Sequence, residues 1–259
     1  MDQTARGNEP TALPAAADAP EDDQGPPAHR RPIWLRTATL MVAALLLAIL
    51  LKALFVQVFY IPSESMEPGL VKNDHILVEK PSYWFGRSPQ RGDVVVFEDP
   101  GGWLDPGETD TPEGALASAM ARIGLLPSGG HLVKRVVGVA GDVVTCCDED
   151  GRLTVNGTPL DEGGYITRQP ECNGPMIQGC QWSAGPVPAG HIFVMGDNRN
   201  HSADSTVHLC LEADAGCVPG GEYVDTDLVV GKVVTRFWPV GRFDLLHRPA
   251  SFASVPDPG

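Results

Sequence analysis

The stretch Ile61-Pro62-Ser63-Glu64-Ser65-Met66-Glu67-Pro68-Gly69-Leu70 follows directly on the only long apolar run of the chain. Pro62 and Pro68 restrict the backbone and oppose helix, which predicts an extended or turned segment between them. A serine on such a segment, just outside a membrane anchor, is a candidate nucleophile if a neighbouring base removes its proton. The alternative is that Ser63 and Ser65 are turn and cap residues, which is the better interpretation of an isolated Ser-x-Ser.

The apolar run predicts a membrane anchor. Residues 38–59 carry one charge, Lys52, and a helix that rises about 1.5 Å per residue can cross a hydrocarbon core of roughly 30 Å over this length. We therefore assign a transmembrane helix to residues 36–59. Basic residues before it, such as Arg30-Arg31, predict a cytoplasmic N-terminus. A cleaved signal peptide is the competing interpretation, but the run is too long and no small-x-small site follows it.

Composition favours a β protein on the outer side of this anchor. The chain has 259 residues, 42% of them hydrophobic, with 29 glycines and 24 prolines, which indicates a loop-rich, mainly β fold rather than a helical bundle. We predict an extracytoplasmic, mostly antiparallel β domain at 60–250 with a smaller β subdomain inserted at about 146–190. Residues 1–35 are expected to form a disordered acidic, proline-rich tail with a basic flank, and 251–259 a loose tail. The net charge of −14 argues against nucleic-acid binding.

Residues 131–145 form the second informative stretch, because their β-branched content predicts a strand. On that strand Leu132, Lys134 and Val136 share one face, and Arg135 lies on the other. A lysine between apolar neighbours loses hydration, which lowers its pKa and favours the neutral form that a base requires. The alternative is a solvated lysine at a sheet edge, where its charge discourages aggregation.

Further segments have a clear local pattern. Residues 191–195 read His-Ile-Phe-Val-Met and predict a strand that enters a polar loop at 196–205. That loop contains the hydrogen-bonding groups needed to orient a lysine and to balance an arginine, although such loops often only cap strands. Asn156-Gly157 between short β-prone runs predicts a hairpin turn.

All six cysteines follow the apolar run, which fits an oxidising compartment. Six cysteines allow 15 pairings, and short separations favour Cys172 with Cys180 and Cys210 with Cys217. A zinc site at the second pair with its neighbouring histidines is an alternative, but the spacing matches no standard zinc motif.

Four segments in this order resemble bacterial type I signal peptidases. They are the anchor followed by Ile61–Pro68, then Arg91–Phe97, Val133–Asp142 and Gly196–Ser205. The resemblance covers roughly residues 38–240. This family consists of membrane-bound Ser–Lys proteases that cut signal peptides from exported preproteins after a small-x-small sequence. Each motif alone is modest, and the ordered set is highly specific.

The resemblance implies a role for each matching polar residue. Ser65 is expected to be the nucleophile and Lys134 the general base. The backbone N–H of Ser65 and the hydroxyl of Ser63 are expected to form the oxyanion hole. Ser202 matches the residue that orients the lysine.

The resemblance also implies structural and substrate-binding residues. Asp197 and Arg135 are expected to form a supporting ion pair. Where the family commonly has an arginine, this chain has Thr206, so Asp204 is expected to lack its usual cationic partner. The expected substrate pockets are lined by Phe59, Ile61, Met66, Leu70 and Val133.

The leading hypothesis is therefore a membrane-anchored serine endopeptidase of the cell membrane, with its catalytic domain outside. Its expected partners are the signal peptides of preproteins, the lipid bilayer and nearby export machinery, and we expect no cofactor, metal or nucleic acid. Three alternatives stay open: an inactive homologue or extracytoplasmic binding module, a Ser–Lys autoprotease of the repressor type, and a Ser-His-Asp hydrolase that uses one of the seven histidines.

Overall fold

The computed structural model describes residues 32–104, 130–167, 181–210 and 217–258. Helix α1 (Ile33–Phe55) is the one helix of the described residues that is long and apolar enough to cross a membrane. The chain divides within this helix into two compact units, the first ending at Leu45 and the second beginning at Leu46. The predicted tail, apart from its last few residues, lies outside the described residues.

The remaining regular structure of the described residues is almost entirely β. The strands are β1 Val56–Tyr60, β2 His75–Glu79, β3 Val94–Glu98, β4 His131–Val139, β5 Val144–Cys146, β6 Thr154–Val155, β7 Thr158–Pro159, β8 Trp182–Ala184, β9 His191–Met195, β10 Val224–Asp225, β11 Val229–Trp238 and β12 Asp244–Leu245. Short 3₁₀ helices cover Pro81–Tyr83, Thr226–Leu228, Val240–Arg242 and Ala250–Ser254.

Two antiparallel sheets organise these strands. Within the described ranges the larger sheet has eight strands in the order β1-β2-β11-β3-β4-β9-β10, with β12 paired to β11, and the smaller has the order β7-β6-β5-β8. The predicted fold class is confirmed: a mostly antiparallel β protein with one N-terminal apolar helix that can span a membrane. The predicted hairpin turn is also confirmed, because Asn156 and Gly157 join β6 to β7 with positive φ angles, as a two-residue turn of this kind requires.

The helix ends earlier than the sequence predicts. We assigned residues 36–59 to the membrane, whereas α1 stops at Phe55 and the next residues form strand β1. Strand β1 pairs with β2 from Val56–Glu79 to Tyr60–His75. Valine and aromatic side chains favour strands, and this pairing satisfies backbone groups that the helix would otherwise have satisfied.

Strand β4 lies between β3 and β9 and separates two apolar clusters. The Phe59 cluster contains Phe59, Ile61, Met66, Leu70, Ile76, Val78, Val94, Val96 and Val233, with Val133 packed against it. The Trp103 cluster contains Val95, Phe97, Trp103, Leu132, Val136, Ile192, Val194 and Val224. Successive residues of β4 and β3 therefore alternate between the clusters, as strand geometry requires. Both faces of the sheet are covered.

The C-terminal residues are packed, which differs from the loose tail expected at 251–259. Phe252 and Val255 are buried in a third apolar cluster, which joins the second sheet to strands β4 and β9. Arg91 donates hydrogen bonds to the carbonyls of Val255 and Pro256 and forms an ion pair with Asp142. Two apolar side chains three residues apart thus anchor a segment that composition alone marks as a tail.

The described cysteines form disulfides. The predicted Cys210–Cys217 pair is confirmed, and Cys146 pairs with the adjacent Cys147. A disulfide sulfur is not a thiolate ligand, so the alternative zinc site at Cys210 and Cys217 is not supported. Cys172 and Cys180 lie outside the described residues.

Replacing Phe252 tests whether the C-terminal segment belongs to the core. Phe252 is 6% exposed, so Phe252→Ala should lower the free energy of unfolding by about 3 kcal/mol. Leu245, at 52% exposure, is the matched control, and Leu245→Ala should change the free energy by less than about 0.5 kcal/mol. Denaturant unfolding measures both, and equal effects would show that the segment does not support the core.

Candidate active site

The Ser-x-Ser segment forms an irregular loop directly after β1, as its prolines predict. Its ends are fixed by backbone hydrogen bonds from Ile61 N to Asp74 O at 2.9 Å and from Leu70 N to Met66 O at 2.9 Å. Ser65 is 8% exposed. Its Oγ lies 3.2 Å from the Oγ of Ser63. The two hydroxyls therefore occupy one small region on a loop that is tied to the sheet.

The loop that follows β9 holds the backbone of Ser65. Asn198 N donates to Ser65 O at 3.0 Å, and the Asn198 side-chain amide donates to Glu64 O at 3.1 Å. Gly196 faces the same carbonyl so closely that a Cβ there would lie 2.5 Å from Ser65 O and 2.3 Å from Ser202 Oγ. Only glycine fits between these atoms. The polar loop predicted at 196–205 thus positions the candidate nucleophile.

Lys134 is buried, with 4% of its surface exposed. It lies opposite Val95 of β3 in the register of strand β4. Its face of the strand is shared with Leu132 and Val136, which belong to the Trp103 cluster. This burial excludes the alternative of a solvated lysine, although β9 does not pair with β4 at this residue. Lys134 and Ser65 line the same cavity.

That cavity has a volume of about 510 Å³. Four of the five residues predicted to bind substrate line it, namely Phe59, Ile61, Met66 and Val133. The fifth, Leu70, packs in the Phe59 cluster but is not among the lining residues. Residues that were not predicted to bind substrate also contribute to the walls: Tyr60, Pro62, Trp103, Leu104, Gly130, His131, Leu132, His201 and Ala203. The cavity combines apolar walls with the hydroxyls of Ser63 and Ser65.

Ser202 and Asp204 belong to the loop that holds the backbone of Ser65, and neither is among the residues that line the cavity. The Ser202 hydroxyl donates to Asp204 Oδ2 at 2.6 Å, and Gly196 N donates to the same oxygen at 2.8 Å. The other oxygen, Oδ1, accepts from the backbone N–H of Thr206 at 3.2 Å and from the Thr206 hydroxyl. Both oxygens of Asp204 therefore accept hydrogen bonds from neighbouring hydroxyl and backbone N–H groups. Threonine supplies hydrogen bonds where a cation was anticipated.

Arg135 and Asp197 form the predicted ion pair. Two hydrogen bonds join them, Nε to Oδ1 at 2.8 Å and a terminal guanidinium nitrogen to Oδ2 at 2.6 Å, and both side chains are buried. Burial alone disfavours the charged form of Arg135, but Asp197 outweighs this effect and raises the pKa of Arg135 above its ordinary value. The guanidinium also lies 4.6 Å from the ring centroid of Tyr165.

A second buried ion pair, between Arg199 and Glu162, was not predicted. Two guanidinium nitrogens donate to Glu162 at 2.5 and 3.0 Å, and Arg199 Nε donates to Gly196 O at 2.9 Å. Tyr165 connects the two ion pairs, since its hydroxyl donates to Glu162 at 3.0 Å. Burial, and then the Glu162 carboxylate, raise the pKa of Tyr165 well above its ordinary value, which keeps the donor protonated.

No group of three or more His, Cys, Asp or Glu side chains within the described ranges is arranged to hold a metal ion. The polar side chains at the site are hydroxyls, one lysine, hydrogen-bonded carboxylates and the imidazoles of His131 and His201. Such a set can support nucleophilic attack by a serine with a lysine as base, provided that the lysine is neutral.

Comparison with known proteins gives a consistent result. The family model described as signal peptidase, peptidase S26, matches residues 34–238. Signal peptidase I of Mycobacterium tuberculosis is 41% identical over 203 residues, covering 73% of this chain and 67% of its own. Signal peptidase I of Leptolyngbya laminosa is 36% identical over 193 residues, covering 74% of each chain. A solved signal peptidase I from Enterococcus faecalis is 21% identical and covers 56% of this chain and 97% of its own, with a TM-score of 0.29 that is too low to add to the argument.

Adding a methyl group at Gly196 tests the contact between the two loops. A Cβ would meet Ser202 Oγ and Ser65 O at 2.3 and 2.5 Å, so Gly196→Ala should lower the free energy of unfolding by about 1–3 kcal/mol. Any reaction that depends on Ser65 should slow by about a hundredfold, because misplacement by about 1 Å has this effect. Gly241→Ala is the control, since no atom lies within 4 Å of its Cβ position. If Gly196→Ala and Gly241→Ala had the same free energy of unfolding and the same reaction rate, the close contact at Gly196 would be contradicted.

Neutralising Glu162 tests the second ion pair. Glu162→Gln leaves the buried charge of Arg199 without its carboxylate, and breaking a buried pair in this way destabilises by about 3–5 kcal/mol. Asp161→Asn removes an exposed charge next to it and should change stability by less than about 0.5 kcal/mol. Thermal and denaturant unfolding of the two variants provide the measurement. A stability loss as small as that of the control would show that the pair is dispensable.

Proposed function

The chain belongs to the signal peptidase, peptidase S26, family, and on that premise we propose that it is a membrane-anchored serine endopeptidase that removes signal peptides from exported preproteins. The observation that carries the proposal is the burial of Ser65 and Lys134 against one cavity, on two segments that the same sheet holds in place. The mechanism, the cleavage motif and the orientation in the membrane are parts of this proposal.

In the proposed first step, neutral Lys134 takes the proton of the Ser65 hydroxyl while Ser65 Oγ attacks the scissile carbonyl carbon. The burial of Lys134 on a strand face with Leu132 and Val136 supports this role, because low hydration favours the uncharged amine. The resulting lysine ammonium then donates its proton to the leaving amine, and the peptide C–N bond breaks. An acyl-enzyme on Ser65 and a free amine result.

In the second step, water replaces the amine. Lys134 accepts a proton from the water as its oxygen attacks the acyl carbon, and that proton returns to Ser65 Oγ when the ester bond breaks. Both tetrahedral intermediates carry a negatively charged oxygen. We propose that the backbone N–H of Ser65 and the hydroxyl of Ser63 donate hydrogen bonds to this oxygen. The distance of 3.2 Å between the two serine Oγ atoms supports this assignment, since oxyanion donors must lie close to the nucleophile.

Ser202 is proposed to orient the lysine. Its hydroxyl hydrogen is committed to Asp204 at 2.6 Å, which leaves the hydroxyl oxygen as an acceptor. An acceptor of this kind orients an amine through one of its hydrogens and leaves the amine lone pair for the serine proton. Asp204 thus fixes the hydrogen-bond direction of Ser202, and Thr206 and Gly196 fix Asp204.

The wall formed by Phe59, Ile61, Met66 and Val133 is proposed to select small substrate residues. These side chains belong to one packed cluster or lie against it, so the space left beside Ser65 is narrow and apolar. An extended substrate chain lying along the edge of a sheet presents alternate side chains to this wall. Selection of a small residue at alternate positions gives the small-x-small preference.

The membrane anchor accounts for where the reaction takes place. Helix α1 leads directly into β1 and the Ser65 loop, so the cavity is tethered near the membrane surface. The N-terminal basic residues orient the anchor with the catalytic domain outside. Signal peptides emerge on that face from the export machinery, which we propose as the enzyme's neighbour at the cell membrane.

Replacing the two catalytic residues tests the mechanism directly. Ser65→Ala and Lys134→Ala should each reduce cleavage of a purified preprotein by on the order of a thousandfold or more, with unchanged folding by circular dichroism. Exposed Ser88 and Lys72 provide the controls Ser88→Ala and Lys72→Ala, which should cleave normally. Full activity of Lys134→Ala would mean that another group, such as a histidine, is the base.

A further inference from the structure

Trp103 forms a rigid part of the cavity wall that the sequence motifs do not include. It is 7% exposed and lines the cavity together with Ser65 and Lys134. Its indole N–H donates to Gly221 O at 3.3 Å, and its backbone N–H donates to Asp99 Oδ1 at 3.1 Å. These bonds fix the position of the ring and of its backbone.

Aromatic contacts hold the same ring from behind. The imidazole of His208 stacks on Trp103 with ring centroids 4.5 Å apart and planes 11° apart, and Phe97 meets it edge-on at 6.0 Å. Burial lowers the pKa of His208, so the stacked ring is neutral at neutral pH. His208 lies next to the segment that the Cys210–Cys217 disulfide closes. His208 therefore supports the Trp103 side of the cavity wall.

The cavity has two apolar walls on opposite faces of β4. Val133 packs against the Phe59 cluster, whereas its neighbour Leu132 belongs to the Trp103 cluster. Both residues line the cavity, so the cavity wraps around the start of this strand. Strand β9 pairs with β4 only as far as Arg135, opposite Met195, and the first four residues of β4 extend beyond it. A peptide lying along this part of β4 would face both walls.

We propose that Trp103 is a specificity-determining residue that contacts the substrate side chain between the two small residues of a small-x-small sequence. The inference rests on the proposed function. In an extended peptide, neighbouring side chains point to opposite faces, so a peptide with its small residues toward the Phe59 cluster directs the middle side chain toward Trp103. The Trp103 wall therefore selects the side chain at the middle position, which the small-x-small pattern does not restrict.

The chemistry of this wall defines the preferred middle residue. A flat indole that is locked by stacking offers an apolar surface at little further entropic cost, and it favours aromatic side chains in offset or edge-on geometry. Leu104 and Leu132 extend the apolar surface. A middle phenylalanine or leucine should bind well, whereas a middle aspartate would lose its hydration without gaining a partner from these three side chains.

The test uses two series of peptides with wild type, Trp103→Ala and Val133→Ala. The first series varies the middle residue among Phe, Leu, Ala and Asp, and the second varies one small residue between Ala and Val. Wild type should favour a middle Phe over a middle Asp in kcat/KM by about tenfold or more, the range expected for apolar pocket contacts. Trp103→Ala should bring this ratio close to one while leaving the selection at the small position unchanged. Val133→Ala should change the selection at the small position and leave the Phe/Asp ratio at the middle position unchanged.

Control variants separate specificity from stability. Trp182 is also buried but belongs to the third apolar cluster, and Trp182→Phe should leave both ratios unchanged. If Trp103→Ala does not fold, Trp103→Phe keeps an apolar ring there, and its altered shape should lower the Phe/Asp ratio by about threefold. The melting temperature of each variant is measured in parallel.

The outcomes distinguish this inference from the function on which it rests. If wild type cleaves no peptide of either series, both the proposed function and the inference fail. If wild type cleaves the reference peptide but folded Trp103 variants keep the wild-type Phe/Asp ratio, only the inference fails. A change of both ratios in Trp103→Ala would also overturn it, because the residue would then shape the cavity as a whole.

Discussion

The backbone contact between Ser65 and the loop after β9 is the constraint on which the rest of the site depends. Asn198 donates to the Ser65 carbonyl, and Gly196 allows an approach that no side chain would permit. Lys134 reaches the same cavity from β4, the strand that pairs with β9. A serine hydroxyl becomes a nucleophile only within reach of a base. The fold must therefore hold the Ser65 loop close to strand β4. One sheet and one loop contact achieve this.

The buried charges behind the site keep that loop in place. A buried carboxylate or guanidinium requires a complete set of partners. Asp204 obtains them from the backbone and hydroxyl groups of its own loop, and Arg199 obtains them from Glu162 and the carbonyl of Gly196. Thr206 shows that a hydroxyl and an N–H can satisfy a carboxylate for which an arginine was expected. Hydrogen bonds to Asp204 within the loop and the ion pair from Arg199 to Glu162 therefore both hold the loop in place.

Short sequence patterns predicted those strands and turns whose conformation depends mainly on residues adjacent in sequence. Runs of β-branched and apolar residues located β4 and β9, and an Asn-Gly pair located the turn between β6 and β7. The end of α1 was not predictable in this way, because Val56–Tyr60 continues the uncharged stretch of the helix and its pairing with β2 makes it a strand. The Glu162–Arg199 pair joins residues far apart in sequence, and no spacing rule connects them. Trp103 likewise lies in a Gly-rich loop, and tertiary packing alone brings it to the cavity.

The most direct test of the central claim is covalent trapping of the nucleophile. A small-x-small peptide that carries a serine-reactive phosphonate is incubated with wild type and with Lys134→Ala, and tandem mass spectrometry locates the adduct. We predict a single adduct on Ser65 in wild type that forms at least about a hundredfold more slowly in Lys134→Ala, because the proposed mechanism has Lys134 activate the hydroxyl. An adduct on another residue, or equal rates in the two proteins, would contradict the assignment of Ser65 and Lys134 as nucleophile and base.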